Sequence, residues 1–76
     1  MITGRQLKAA RALVGWEQTD LAKKSGVAIS TVRRMESFDG EIGARTSTLS
    51  QIMRAFARAG IVFLNDDEPG VRLKKK

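Results

Sequence analysis

Residues 17–36 constrain the fold more than any other part of the chain, because their pattern predicts two short helices joined by a tight turn. Leu21 and Ala22 fall on the inward face of the first of these helices, and Val32 and Met35 fall on the inward face of the second. The small side chain of Ala22 lies where two helices that cross at a steep angle must touch backbone to backbone.

The turn and the outward face of the second helix indicate what this pair presents. Gly26 lies where the first helix ends and where the backbone needs a left-handed conformation that only glycine adopts cheaply. The outward residues of the second helix are small, hydroxyl-bearing or cationic, with no acid among them: Ile29, Ser30, Thr31, Arg33 and Arg34. This combination is typical of a helix-turn-helix whose second helix, over residues 29–36, fits the major groove of DNA.

Charge supports a polyanionic partner. The 76 residues carry a net charge of +6. Residues 1–36 hold seven Lys/Arg against three acids, a net of +4, and residues 37–76 hold seven against five, a net of +2. The basic half is therefore the half that contains the two-helix pattern, which favours nucleic acid over a purely solubilising role.

Composition weighs against catalysis and metal binding. The chain has no cysteine and no histidine, so thiolate chemistry and the commonest general base and metal ligand are missing. We expect no enzyme activity, no cofactor and no metal. No apolar run approaches the roughly 20 residues that span a bilayer, and no signal peptide opens the sequence, so we expect a cytoplasmic protein without membrane association.

Two further helices flank the central pair. The first runs from Gly4 to Val14, with Thr3 as its N-cap and Gly15 as its stop. Its apolar stripe consists of Leu7, Ala10, Leu13 and Val14, and Trp16 follows as a core residue. We predict the central helices over residues 18–25, with Glu17 or Trp16 as cap, and from residue 29 to residues 35–37.

The last helix begins at Thr46 or Ser47, with a hydroxyl N-cap, and runs to Ala59 before Gly60. Its apolar face at helical spacing consists of Leu49, Ile52, Met53, Phe56 and Ala57. In the loop before this helix, Phe38 and Ile42 are expected to pack against the core.

A short β-hairpin is predicted after Gly60. Residues 61–64 form a continuous β-favouring run, residues 65–70 have turn composition, and residues 71–74 alternate apolar and basic. We expect a mainly α fold, with a helix-turn-helix domain over residues 1–60 and a hairpin and basic tail over residues 61–76 packed on it. Since the first strand is apolar on both faces, the hairpin either makes a homodimer through residues 61–74 or closes its own domain.

Residues 4–36 resemble the Cro and phage-repressor helix-turn-helix family of bacterial and phage regulators, also called the XRE type. The resemblance is carried by Gln18-x-x-Leu21-Ala22 and by Gly26-Val27-(x)₃-Thr31-Val32. It implies a four-helix repressor-like domain that acts as a dimeric regulator of transcription, most often a repressor. It also implies that Arg11 and Glu36 form a partly buried structural ion pair.

The residue pattern and the family resemblance each predict some of the DNA-contacting residues. Arg5 and Lys8 are expected to reach phosphates, and the N-terminus of the second helix at Gln18 and Thr19 offers a seat for one. The resemblance places Gln18 at the mouth of the groove, against the backbone or a base edge, and Arg45 on a flanking phosphate. It places five residues in the groove: Ile29, Ser30, Thr31, Arg33 and Arg34. This sequence departs from the family pattern at position 29, where family members often have Gln or Asn and this chain has Ile29. Ile29 can make only apolar contact, such as with a thymine methyl.

Base reading by hydrogen bonds then belongs to Ser30, Arg33 and Arg34, and the sequence does not decide which arginine reaches a base. A second hypothesis is an antitoxin-like subunit whose main ligand is another protein. Its working surface would be the hairpin and the acidic residues Asp66, Asp67 and Glu68.

Overall fold

The computed structural model describes residues 2–38, 45–64 and 68–74. In these residues four helices precede one antiparallel hairpin, which confirms the predicted mainly α fold class. The elements are α1 (Gly4–Val14), α2 (Gln18–Ser25), α3 (Ile29–Glu36), α4 (Thr46–Arg58), β1 (Ile61–Leu64) and β2 (Gly70–Leu73).

Local signals set the ends of α1 and α2. The Thr3 hydroxyl accepts a hydrogen bond from the Gln6 backbone N–H at 3.2 Å, and the Gln6 side chain accepts one from the Thr3 N–H at 2.9 Å. This reciprocal capping satisfies two N–H groups that a helix start leaves without partners. Gly15 and Gly26 end the two helices with φ of +71° and +74°, as predicted.

The start of α4 differs from the prediction. Arg45, not a hydroxyl residue, is the N-cap, and no side chain caps this helix. The reason is that Arg45 takes the extended backbone and Thr46 is already helical. Thr46, Ser47 and Thr48 therefore lie inside the first turn instead of preceding it.

Side chains from all four helices and β1 meet in one core. Its buried apolar members are Ile2, Leu7, Ala10, Leu21, Val27, Val32, Met35, Ile52, Ala55, Phe56 and Ile61. The central prediction for α2 and α3 is confirmed, since Leu21, Val32 and Met35 are buried and Ala22 packs against the core.

Three predicted core positions are wrong. Leu13 is 45% exposed, because Leu7, Ala10 and the half-buried Val14 continue the buried stripe at steps of three and four. Ala57 is exposed, and Ala55 is buried in its place, because the inward face of α4 follows Ile52, Ala55 and Phe56.

Phe38 is 40% exposed and does not pack into the core as predicted. Its backbone carbonyl lies against Gly4, where an added Cβ would be 2.4 Å from that oxygen. The chain therefore approaches α1 through its backbone here, and the ring stays outside. Ile42, Asp66 and Asp67 lie outside the described residues.

The hairpin packs on α1 and α4. Cross-strand partners share a face, so Ile61, Leu73, Phe63 and Val71 lie on the helix-facing side. Phe63 meets Phe56 edge-on at 5.7 Å between ring centroids, and Phe56 stacks on Trp16 at 5.4 Å. An aromatic row therefore connects the hairpin to the start of α2.

Candidate nucleic-acid interface

The turn between α2 and α3 is held by hydrogen bonds of the Ser25 hydroxyl. The Ser25 hydroxyl donates to the Leu21 carbonyl at 2.7 Å and accepts from the Val27 backbone N–H at 3.3 Å. Ser25 thus bonds the last turn of α2 to the residue that follows Gly26. Because Leu21 and Val27 are also buried, the angle between α2 and α3 is set by packing on both sides of the turn.

A buried carboxylate joins α3 to both preceding helices. Glu36 is 2% exposed and accepts hydrogen bonds from Arg11 Nε at 2.6 Å, Arg11 Nη2 at 2.8 Å and Gln18 Nε2 at 3.1 Å. Arg11 Nη1 also donates to the Trp16 carbonyl at 3.0 Å. The predicted Arg11–Glu36 ion pair is confirmed, and its bidentate geometry is the strong form of such a pair.

Glu36 also affects the ionisation of its partner. The pKa of Arg11 is raised, chiefly by the hydrogen bond to Glu36. Burial, the next largest cause, lowers this pKa, and the charges of Glu36 and Glu17 raise it further. A raised folded-state pKa stabilises the fold below the usual arginine pKa, and this is lost only as the pH rises through the higher value. The pair therefore contributes throughout the neutral range.

The pairing of Glu36 leaves the outward face of α3 without an acid. Ser30, Arg33 and Arg34 are exposed, and Ile29 and Thr31 are half-buried. Ser30, Thr31 and Arg34 together line an open hollow of about 260 Å³. One side of α3 therefore presents two hydroxyls and a guanidinium to solvent.

The other side of α3 is different in chemistry. A larger open hollow of about 620 Å³, here called the α2–α3 hollow, lies between the outward side of α2 and the start of α3. Its lining includes Thr19, Ala22, Lys23, Val27, Ala28 and Ile29. Thus Thr19 and Ile29, two predicted DNA contacts, share one surface.

The remaining predicted residues are spread around this centre. Gln18 donates to Glu36, and Arg45 is exposed at the start of α4. Lys8 is exposed on α1, and Arg5 lines a separate hollow beside Pro69 and Gly70. Arg5 thus belongs to the surface where α1 meets the hairpin.

The N-terminus of α2 carries acids of its own. Glu17 is the N-cap, and the Asp20 carboxylate accepts a hydrogen bond from the Glu17 backbone N–H at 2.8 Å. These two carboxylates already complement the positive end of the helix dipole. A phosphate seated at Gln18 and Thr19 would have to approach both.

Sequence reasoning missed two residues of the α2–α3 hollow. Lys23 follows Thr19 by one helical turn on the outward side of α2, so its spacing was a usable signal. Ala28 had no such signal, since an alanine before a helix predicts neither burial nor contact. Its place in the hollow follows from the turn geometry.

The described residues contain no cluster of three or more side chains suited to a metal ion. Among the four helices described, none has the length and apolar character needed to cross a membrane. The arrangement offers hydroxyl, guanidinium and methyl groups on the outward side of α3, which can bind a partner by hydrogen bonds and apolar contacts.

The fold and this surface define a helix-turn-helix domain. The sequence profile of the family described as "Helix-turn-helix domain" matches residues 3–61, which is most of the chain. The chain therefore belongs to the helix-turn-helix domain family, whose members are typically DNA-binding and non-enzymatic. No curated protein matches the chain.

Proposed function

We propose that this protein is a sequence-specific DNA-binding regulator of transcription, of the Cro and phage-repressor type, that reads the major groove with α3. The observation that carries this proposal is the division of α3 into two faces. Val32, Met35 and Glu36 are buried, and the only acid of the helix is paired with Arg11. Everything left outward is apolar, hydroxyl or cationic, as base edges and phosphates require.

The proposed contacts have two kinds of role. Ser30, Arg33 and Arg34 discriminate bases by hydrogen bonding, at about 1–3 kcal/mol for each well-formed pair. Lys8, Arg5, Arg45, Gln18 and Thr19 are proposed to meet phosphates, which supply affinity and make it depend on salt. A repressor acts by occupying its site, so this chain needs no catalytic group for the role.

The test is selection from a random-sequence duplex pool over several rounds at ~150 mM salt, a concentration at which weak phosphate-only binding is suppressed. We expect a consensus site to emerge. Arg33→Ala and Arg34→Ala should each then weaken binding by about tenfold or more, with helicity unchanged. The control is Arg54→Ala, which removes an exposed arginine of α4. Unselective binding, or unchanged affinity in both α3 variants, would contradict the proposal.

We also propose that two copies associate through the outer face of the hairpin. With Ile61 and Phe63 directed at the helices, Val62 and Leu64 lie on the opposite side of β1, and Leu64 is 41% exposed. A symmetric pair would place two α3 helices for half-sites about one turn of DNA apart.

The association is tested by sedimentation of the wild-type protein and of Leu64→Lys, which should shift the dimer to monomer. Leu13→Lys is the matched control, because Leu13 is a similarly exposed leucine on α1. A wild-type monomer would contradict the proposed dimer. A stable complex with a different protein that Leu64→Lys abolishes would favour the antitoxin-like hypothesis instead.

A further inference from the structure

The α2–α3 hollow differs from the rest of the proposed DNA surface because apolar groups dominate it. Ala22, Val27, Ala28 and Ile29 contribute only hydrocarbon side chains to its lining. Its volume of about 620 Å³ lies open to solvent on the outward side of the two-helix unit. An open apolar hollow of this kind is complemented only by a partner that also presents apolar groups.

The first residues of α3 make the α2–α3 hollow apolar. Ala28 is the N-cap, no side chain caps the helix, and Ile29 is its first residue. Neither side chain has a hydrogen-bond donor or acceptor. The hydroxyls of Ser30 and Thr31 and the guanidinium of Arg34 line the other hollow, so polar and apolar reading are separated on α3.

Only one chemical group in the major groove suits the apolar side. Thymine presents its C5 methyl group there, whereas the other exposed base-edge groups are hydrogen-bond donors or acceptors. The 5-methyl group of 5-methylcytosine occupies the same position on its ring. Lys23 also lines the hollow, so one cationic group lies beside the apolar surface and complements the charge of phosphates.

We propose that the α2–α3 hollow recognises pyrimidine 5-methyl groups, so that thymine and 5-methylcytosine are preferred over uracil and cytosine where the site meets Ile29. This inference rests on the proposed DNA-binding function and adds the base feature that Ile29 and Ala28 read. Burial of one methyl group corresponds to about a fourfold change in affinity.

The experiment uses the full chain and the duplex obtained from the random pool. Each thymine of the site is replaced singly by deoxyuridine, which removes the methyl group and keeps the hydrogen-bonding edge. We expect one or two positions at which binding weakens about fourfold. At those positions a 5-methylcytosine duplex should bind more tightly than a cytosine duplex by a similar ratio.

Variants connect the methyl effect to the hollow. Ile29→Ser should lose the difference between thymine and uracil at the same positions, while Leu13→Ser, at an exposed leucine of α1, should keep it. Circular dichroism confirms that both variants are folded. If uracil replacements are harmless everywhere, or if Ile29→Ser keeps the thymine preference, this inference is overturned while selective binding still stands. If no duplex is selected at all, the proposed function fails together with the inference.

Discussion

Two regions of this protein join separate elements through a buried polar side chain, and they use different chemistry to do so. One is the helical junction around Glu36, and the other is the attachment of the hairpin around Gln6. Each centres on a buried polar side chain, with Glu36 2% and Gln6 5% exposed. Glu36 is charged and joins three helices through Arg11 and Gln18. Gln6 is neutral and donates from Nε2 to the Leu64 and Gly70 carbonyls, at 3.0 Å each, where the two strands approach the turn.

The two regions differ in how much stability the loss of one hydrogen-bond partner should cost. A buried carboxylate that loses its cation costs far more than an amide that loses a carbonyl, so loss of one partner at the helical junction should destabilise the fold most. The hairpin attachment can open at lower cost. The surface proposed to read DNA belongs to the helical junction, and the surface proposed to form the dimer belongs to the hairpin.

The largest expected effect comes from Arg11→Met, which leaves the Glu36 carboxylate buried without its cation. We expect the free energy of unfolding to fall by about 3–5 kcal/mol in urea denaturation. Arg54→Met, at an exposed arginine of α4, should change it by no more than about 0.5 kcal/mol. The double variant Arg11→Met/Glu36→Leu should recover much of the loss. A loss below about 1 kcal/mol for Arg11→Met would remove the distinction drawn between the two regions.

A smaller effect is expected for Gly4→Ala, where α1 begins against the end of α3. The new Cβ would lie 2.4 Å from the Phe38 carbonyl oxygen, 2.8 Å from that of Met35 and 2.9 Å from that of Glu36. Because all three are backbone atoms, the helices must separate, at a cost of about 2–3 kcal/mol.

Gly15→Ala is the matched control for Gly4→Ala. Nothing lies within 4 Å of its added Cβ, and only its φ of +71° opposes the change, at about 1 kcal/mol. Thermal unfolding of the two variants would show whether close packing or backbone conformation matters more. Equal losses would mean that the junction accommodates a methyl group.

The last pair of variants, Thr3→Ala and Gln6→Ala, separates the two roles of Gln6, which caps α1 and holds the hairpin. Thr3→Ala removes the hydroxyl cap of α1 and should cost about 1 kcal/mol. Gln6→Ala removes the capping partner and the bonds to both strands, and should cost about 2 kcal/mol. Hydrogen exchange should quicken in β1 and β2 for Gln6→Ala but not for Thr3→Ala. Equal exchange in both variants would show that the aromatic contacts alone hold the hairpin.

Local signals determined the elements of this protein. Thr3, Gly15 and Gly26 mark helix ends through hydrogen bonds and backbone angles within a few residues of themselves. The β-favouring run after Gly60 and the turn composition that follows it likewise predicted the hairpin. These signals are readable because their causes are short-range. The outward residues of α3 were predictable for the same reason, since helical periodicity separates them from Val32 and Met35.

Only the tertiary structure decided how those elements use their polar and apolar side chains. Gln6 reaches carbonyls 58 and 64 positions away, and Gln18 bonds Glu36 across 18 positions. Likewise, Ala55 rather than Ala57 is buried because α2 and β1 pack against α4 and fix its rotation. No local pattern encodes a partner that folding brings from so far along the chain. The sequence by itself therefore determined which helix is presented, and packing decided what holds it in place.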